Sequence, residues 1–428
     1  MPFVSCDVRL GEVSASPLSL IASETRSLLG LPTDRSLIAT GHLPNVPHAG
    51  ILAKYIAAQM LAEKADGCVV NLVIDTGLEA VGQLDVPIGI APTGLSVASA
   101  SMLDECEGVL AIRPAARSVV FDVPQASAEV RADLETIQRA WQGCEGRTAS
   151  EQAACMVSTL LQEHAPDIAS VSAAGLLGTP LGLHMLDAIR HDPRACVEAY
   201  NTAARLHPGV CKVLDTSGQI ELPLWVVSGQ TRRPAYVADL DSPASLQPRA
   251  LVNTAIMRGS VADVFIHGTG GWLYDQVMES WMQNWLQWQL SPRLMVSGTV
   301  RLPQCDDASI QRGIEDIQED VRRKRHDPAS AGGQGQSRDK KAWLAELASL
   351  PRGSDARRAA FQEMHKALHA AGDGNAVDRL STARVSAKVA SRRDWAFPLC
   401  SSVDISRLSG AIRGELSEVE VPSFAIAE

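Results

Sequence analysis

The sequence predicts an α/β protein: a Rossmann-like parallel sheet with a helical insertion and a C-terminal helical hairpin, or coiled-coil, arm. Three observations carry this. A strand–loop–helix–strand pattern runs from Ser36 to Ile74. Its second strand, Cys68 to Ile74, is almost wholly apolar, as expected of a parallel strand covered on both faces. After Pro303 the composition shifts to charged segments with helical spacing, interrupted by a run rich in Gly, Ser and Gln.

Ser36–Thr40 reads as a short buried strand ended by Gly41. A polar, proline-punctuated loop follows from His42 to Gly50. Ile51, Leu52, Tyr55, Ile56 and Met60 then fall at helical spacing, and the helix runs on to Lys64. Gly67 is a common type of helix stop. The crossover is right-handed by the general rule for parallel strands. Further strands are predicted at Val86–Ile90, Ser118–Val123, Leu222–Val227, Val264–His267 and Leu294–Val300. Between Ala126 and Ala204 the pattern is mainly helical and reads as an insertion between two halves of the sheet. Ile310, Ile314, Ile317 and Val321 form one apolar helical stripe. The basic run Arg322–Arg325 reads as a solvated helix end, and Pro328–Ser337 as a flexible loop. The expected units are therefore residues 1–125, the first half of the core; 126–215, the insertion; 216–303, the second half; 304–394, the arm; and 395–428, a segment returning to the core.

A chain of 428 residues is too long for one ordinary core. With 46% hydrophobic and 21% charged residues it is globular in composition. Its net charge of -10 argues against nucleic acid as a partner, because phosphate binding needs clustered positive charge. The nine cysteines are scattered, with no C-x-x-C pair for zinc or redox chemistry. They are expected to be free thiols in a reducing cytoplasm, with no metal site. No apolar stretch is long enough to cross a membrane. Asp7, Arg9 and Glu12 interrupt any signal-peptide core.

The segment Thr40-Gly41-His42-Leu43-Pro44-Asn45-Val46-Pro47-His48-Ala49-Gly50 carries the most chemistry. It joins a strand end to a helix start, where open α/β sheets bind ligands and a helix dipole attracts anions. His42 and His48 are placed to contact phosphate or move a proton. Gly41 and Gly50 let a ligand approach the backbone. Asp75, at the end of the next strand, is a candidate for orienting a nucleophile or a ribose. A second turn, His267-Gly268-Thr269-Gly270-Gly271, again puts a histidine at a strand tip before glycines, so His267, Gly268 and Gly270 are candidate substrate contacts. It is neither G-x-G-x-x-G nor a P-loop. Arg249, after the rigid Pro248, could clamp a carboxylate or phosphate. The stripe Trp281, Trp285, Trp288 reads as core or interface.

Thr40-Gly41-His42, Ala199-Tyr200-Asn201, Glu221-Leu222-Pro223-Leu224-Trp225, Pro248-Arg249-Ala250 and His267-Gly268-Thr269-Gly270-Gly271, in that order and with a helical arm behind them, resemble the bacillithiol-biosynthesis cysteine-adding enzymes. The resemblance spans most of the chain in segment order and is loose in sequence. It implies a Rossmann-like core, a coiled-coil arm used for dimerisation, and ligase-like joining of cysteine to an amino sugar. The family's loop carries glutamines after Thr-Gly, where this chain has His42 and Leu43. Its second strand ends in an acidic and histidine cluster, of which Asp75 alone remains.

The expected function is a ligase-like or transferase enzyme joining an amine to a sugar-derived substrate. In it His42, His48 and Asp75 would be catalytic, and a nucleotide such as ATP or ADP the cofactor. The rivals are a non-catalytic metabolite-binding or scaffold protein and a sugar-nucleotide transferase. The expected partners are a small-molecule substrate and a second copy of the chain, joined through the arm. In that reading Trp343, Leu344, Leu347, Leu350, Phe361 and Leu368 return against the stripe of Ile310.

Overall fold

The strand–loop–helix–strand unit sits at the centre of the molecule. The computed structural model describes residues 4–10, 19–78, 82–89, 94–102, 108–115, 121–302, 307–326, 340–370 and 374–419. The chain opens with β1 (Val4–Leu10) and α1 (Ser19–Leu28). The central unit is β2 (Leu37–His42), α2 (Ala49–Lys64) and β3 (Cys68–Val73). A hairpin, β4 (Gln83–Ile88) and β5 (Ser96–Ser101), leads to α3 (Ala128–Gln142) and α4 (Ala149–Leu161). Then come β6 (Ala169–Ser172), α5 (Pro180–His191) and α6 (Pro193–Leu206). A small sheet follows, of β7 (Glu221–Ser228), β8 (Thr231–Tyr236) and β9 (Leu246–Pro248), with α7 (Ala250–Ile256) behind it. β10 (Val264–His267), α8 (Thr269–Trp285) and β11 (Arg293–Val300) return to the main sheet. The last helices are α9 (Asp307–His326), α10 (Lys340–Ser349), α11 (Asp355–Ala370), α12 (Gly374–Ala390) and α13 (Ser402–Glu415).

The main sheet runs β1-β11-β10-β2-β3-β6. All neighbours are parallel except β1, which pairs antiparallel with β11. From β2 the chain steps outward through β3 to β6, then returns to the other side of β2 through β10 and β11. The step direction reverses between β2 and β10, so the loops leaving these strands diverge and open a crevice. One apolar core, built on α2, α3, α4, α13 and the end of α12, covers one face of the sheet. A second, built on α5, α6, α7 and α8, covers the other.

Helix α2 is buried on nearly every side, all but three of its 16 residues. It is sandwiched between the sheet and α13, which explains its lack of a polar face. Of its two lysines, Lys64 is exposed in the last turn, while Lys54 is 2% exposed.

Several expectations are corrected. The segment 126–215 is not purely a helical insertion, because β6 within it is the edge strand of the main sheet. Of its four residues only Val171 is buried, so no apolar run marked it. β1 is likewise an edge strand without an apolar run. Leu222–Val227 does form a strand, β7, but in the separate antiparallel sheet β8-β7-β9. In Ser118–Val123, residues 118–120 lie outside the described residues and 121–123 form no strand. The cysteines are not all free. Cys144 and Cys155 form a disulfide, their Cα atoms 5.8 Å apart, where the turn between α3 and α4 brings them together. Cys6, Cys68, Cys196, Cys211 and Cys400 are free thiols. Among the described residues no helix is long and apolar enough to cross a membrane.

The arm also differs from expectation. Ile314 is buried and Ile317 half-buried, in one cluster with Ala383, Val389 and Ala390 of α12. The ion pair Arg379–Asp320 (2.6 Å) ties the same two helices. Trp343 and Leu347 do not cover this stripe but pack with Ala360 and Met364 in a small separate cluster between α10 and α11. Leu344 and Phe361 are about half exposed, and Leu350 is only partly buried. The side chains of Ile310, Val321 and Leu368, and the loop Pro328–Ser337, lie outside the described residues. The described part of the stripe, Ile314 and Ile317, is therefore covered within the chain by α12.

Candidate functional site

A cavity of about 460 Å³ opens at the C-terminal edge of the sheet, where β2 and β10 part. Its lining includes Gly41, His42, His48, Gly50 and Lys54 from the first loop and α2, and His267, Gly268 and Gly270 from the second. Two segments more than two hundred residues apart in sequence thus share one cavity, because β2 and β10 are direct neighbours (Ile266 opposite Thr40).

Each histidine has a defined role for its ring nitrogens. His42 Nδ1 lies 2.9 Å from the Leu43 carbonyl, which can only accept. Nδ1 therefore carries the proton and Nε2 presents a lone pair. Burial, and then the charge of Lys54, pull the His42 pKa down to about 3, so the ring is neutral at physiological pH. His48 is the N-cap of α2, and its Nδ1 accepts from Gly50 N–H at 3.0 Å. The proton of the neutral ring is then on Nε2. Burial lowers the His48 pKa, opposed in part by Asp394. Gly50 is required here, since a Cβ would come within 2.9 Å of both the Gly298 carbonyl and the His48 ring.

His267 stands at the tip of β10. Its Nε2 is 3.0 Å from Asp275 Oδ2 without an aligned hydrogen bond. Burial favours a neutral Asp275, but His267, Arg258 and Arg293 outweigh it and hold the carboxyl well below the usual range. Arg258 also pairs with Glu279 (2.7 Å), which pairs with Arg293 (2.9 Å). His267 Nδ1 faces Gly271, where a Cβ would approach it to 2.8 Å.

The cavity is poor in negative charge. Lys54 Nζ donates to the Gly41 carbonyl at 2.6 Å. Among the described residues no carboxylate pairs with it, and burial pulls its pKa down to about 7. At α8, Gly268 is an N-cap without a capping side chain. The first intrahelical bond runs from Trp272 N–H to the Gly268 carbonyl. The N–H groups of Thr269, Gly270 and Gly271 therefore have no acceptor among the described residues, at the positive end of the helix dipole. Gly270 faces open space.

The chain leaving the arm closes the far wall with Arg393 and Asp394. It is pinned by Arg392, which bonds Asp394 (2.9 Å) and Asp85 (2.7 Å). Phe397 N–H also bonds the Pro47 carbonyl (2.8 Å). Arg393 itself has no ion pair among the described residues, whereas Asp394 is held by Arg392. The arrangement can hold an anion at the α8 terminus and offer it a hydrogen bond from His48 Nε2–H. Among the described residues no group of three or more His, Cys, Asp or Glu side chains is placed to hold a metal ion.

Two candidates fall elsewhere. Asp75 does not line the cavity. It accepts from Ser172 Oγ (2.6 Å), Ser150 Oγ (3.4 Å) and Ala174 N–H (2.9 Å), tying the ends of β3 and β6 to α4. Burial raises its pKa against those bonds. Its oxygens are used up by the fold. Arg249 pairs with buried Glu221 (2.7 Å), donates to the Leu224 carbonyl (3.0 Å) and stacks 4.1 Å over Trp225. It fixes α7 to the small sheet and does not reach the cavity.

Lys54, Asp275, Arg393 and Asp394 were not singled out from sequence. Lys54 had a signal, a cation set between the apolar residues Ile51–Ala53 and Tyr55–Ala58 of α2. Arg393 had none, since only tertiary packing brings it to the first loop. No known family model matches the chain, and no curated protein matches it either. The likeness drawn from short motifs rests on those residues alone.

Proposed function

We propose that the cavity binds a phosphorylated small molecule and that the chain is a group-transfer or ligase-like enzyme, joining an amine to a sugar-derived substrate with a nucleotide such as ATP or ADP. One observation carries the reading. Lys54, the free N–H groups of α8 and Arg393 converge on one cavity, and no carboxylate neutralises Lys54 among the described residues. A buried cation without a counter-ion is costly, and an anionic ligand removes that cost. His42 supplies a neutral acceptor, His48 a neutral donor, and His267 a third imidazole backed by Asp275. The cysteine-adding resemblance fits this class of reaction and adds a dimer through the arm. The half-exposed Leu344 and Phe361 are apolar contacts available to a second copy.

Calorimetric titration of the full chain with ADP, ATP and inorganic phosphate tests the reading. Lys54→Met is expected to weaken binding roughly ten- to hundredfold, the loss of one charge-assisted contact of about 1.5–3 kcal/mol. The same substitution removes a buried unpaired charge, so the melting temperature below pH 7 is expected to rise. Weaker binding with a higher melting temperature separates a ligand contact from a folding defect. Equal affinity in both proteins overturns the reading.

A further inference from the structure

The same wall of the cavity holds a primary amine in a setting that suits covalent chemistry. Lys54 is fixed on a rigid buried helix, 2% exposed, and among the described residues its one hydrogen bond goes to a backbone carbonyl. Among the described residues no carboxylate holds its proton, burial brings its pKa to about 7, and a large share of the side chain carries a free lone pair at neutral pH. A desolvated neutral lysine is a nucleophile toward carbonyl carbon. His48, on the same helix terminus, has Nδ1 occupied by Gly50 N–H, so its remaining nitrogen is a proton donor. The α8 terminus and Arg393 line the same cavity and can hold a phosphate; the bound anion shifts Lys54 toward its charged form, and the uncharged fraction is the one that reacts.

We propose that Lys54 forms an imine with a phosphorylated aldehyde or ketone held in this cavity, its phosphate seated on the N-terminus of α8. The proposal rests on the anion-binding reading above and adds the substrate class. In the first step the amine lone pair attacks the carbonyl carbon. The C=O π pair moves to oxygen, which takes a proton from His48 Nε2, while the nitrogen loses one proton that restores His48. In the second step the nitrogen lone pair expels the hydroxyl. That hydroxyl takes up the amine's remaining proton and departs as water, leaving C=N. The two hydrogens lost from nitrogen equal those gained by the carbonyl oxygen, and no oxidant or reductant is consumed.

Reductive trapping tests this on the unsubstituted full-length chain. The protein is incubated with glyceraldehyde 3-phosphate and sodium cyanoborohydride, digested, and mapped by mass spectrometry. One reduced adduct is expected, on the peptide carrying Lys54. It should be suppressed by excess inorganic phosphate and absent with unphosphorylated glyceraldehyde at the same concentration. Lys54→Arg should lose the adduct and still bind phosphate in a calorimeter. Adducts confined to exposed lysines such as Lys212, with Lys54 unmodified, overturn the proposal. If phosphate still binds in that case, the imine alone is wrong; if phosphate does not bind, the anion-binding reading falls with it.

Discussion

His48 illustrates how one residue can serve the fold and the site together. Its Nδ1 caps α2 and its ring lines the cavity, so truncation removes both functions. His48→Ala is expected to cost about 1 kcal/mol of stability from the lost cap and to weaken phosphate binding as well. His48→Asn separates the two, because asparagine caps a helix well but presents no imidazole to the cavity. Its melting temperature should stay near that of the parent while phosphate affinity falls as in the alanine variant; recovery of affinity in His48→Asn would show that the cap alone matters. Asp75 and Arg249 teach the opposite lesson. Each was readable from sequence as a ligand contact because it ends a strand or follows a rigid proline. Their actual partners, Ser172 and Glu221, are distant in sequence, and local pattern carries no record of them.

At the scale of elements, legibility follows burial. β2, β3 and β10 are covered on both faces, which writes an apolar run into each, and they emerge close to their expected positions. β1 and β6 are edge strands that need fewer apolar residues, and they left no such mark. The arm was legible as helices but not in its pairing. The stripe on α9 meets α12, whose last turn belongs to the main core, so the arm's root cannot be removed without damaging that core. Its tip can. Trp343, Leu347, Ala360 and Met364 form a cluster of their own, and replacing residues 327–373 with a short glycine-serine linker should leave a folded protein that still binds phosphate. Light scattering of this variant beside the full chain reads the arm's part in assembly. A monomeric full-length chain would remove the dimer, and unfolding of the tip deletion would contradict the separation of the two clusters.

Across the whole molecule the charge balance is negative, -10, while one crevice gathers Lys54, Arg393 and a free helix N-terminus. The long-range field therefore does not attract anions, and affinity must come from local geometry at the switch point between β2 and β10. Lys54 makes that geometry pH-sensitive in a definite direction. Folding lowers its pKa from 10.5 to about 7, so the unfolded chain binds more protons in that window and this group's share of stability rises with pH across it. A bound anion favours the charged form and raises the pKa again, so binding takes up a proton. Sulfate is the cleanest probe, because it stays fully ionised across this range and any pH dependence belongs to the protein. Titration of sulfate into the full chain from pH 6 to pH 9 tests the central claim most directly. The expected result is an affinity that is flat below pH 7 and falls toward tenfold per unit above it, with proton uptake that disappears in Lys54→Met; an affinity independent of pH, or no sulfate binding at all, would contradict an anion site built around Lys54.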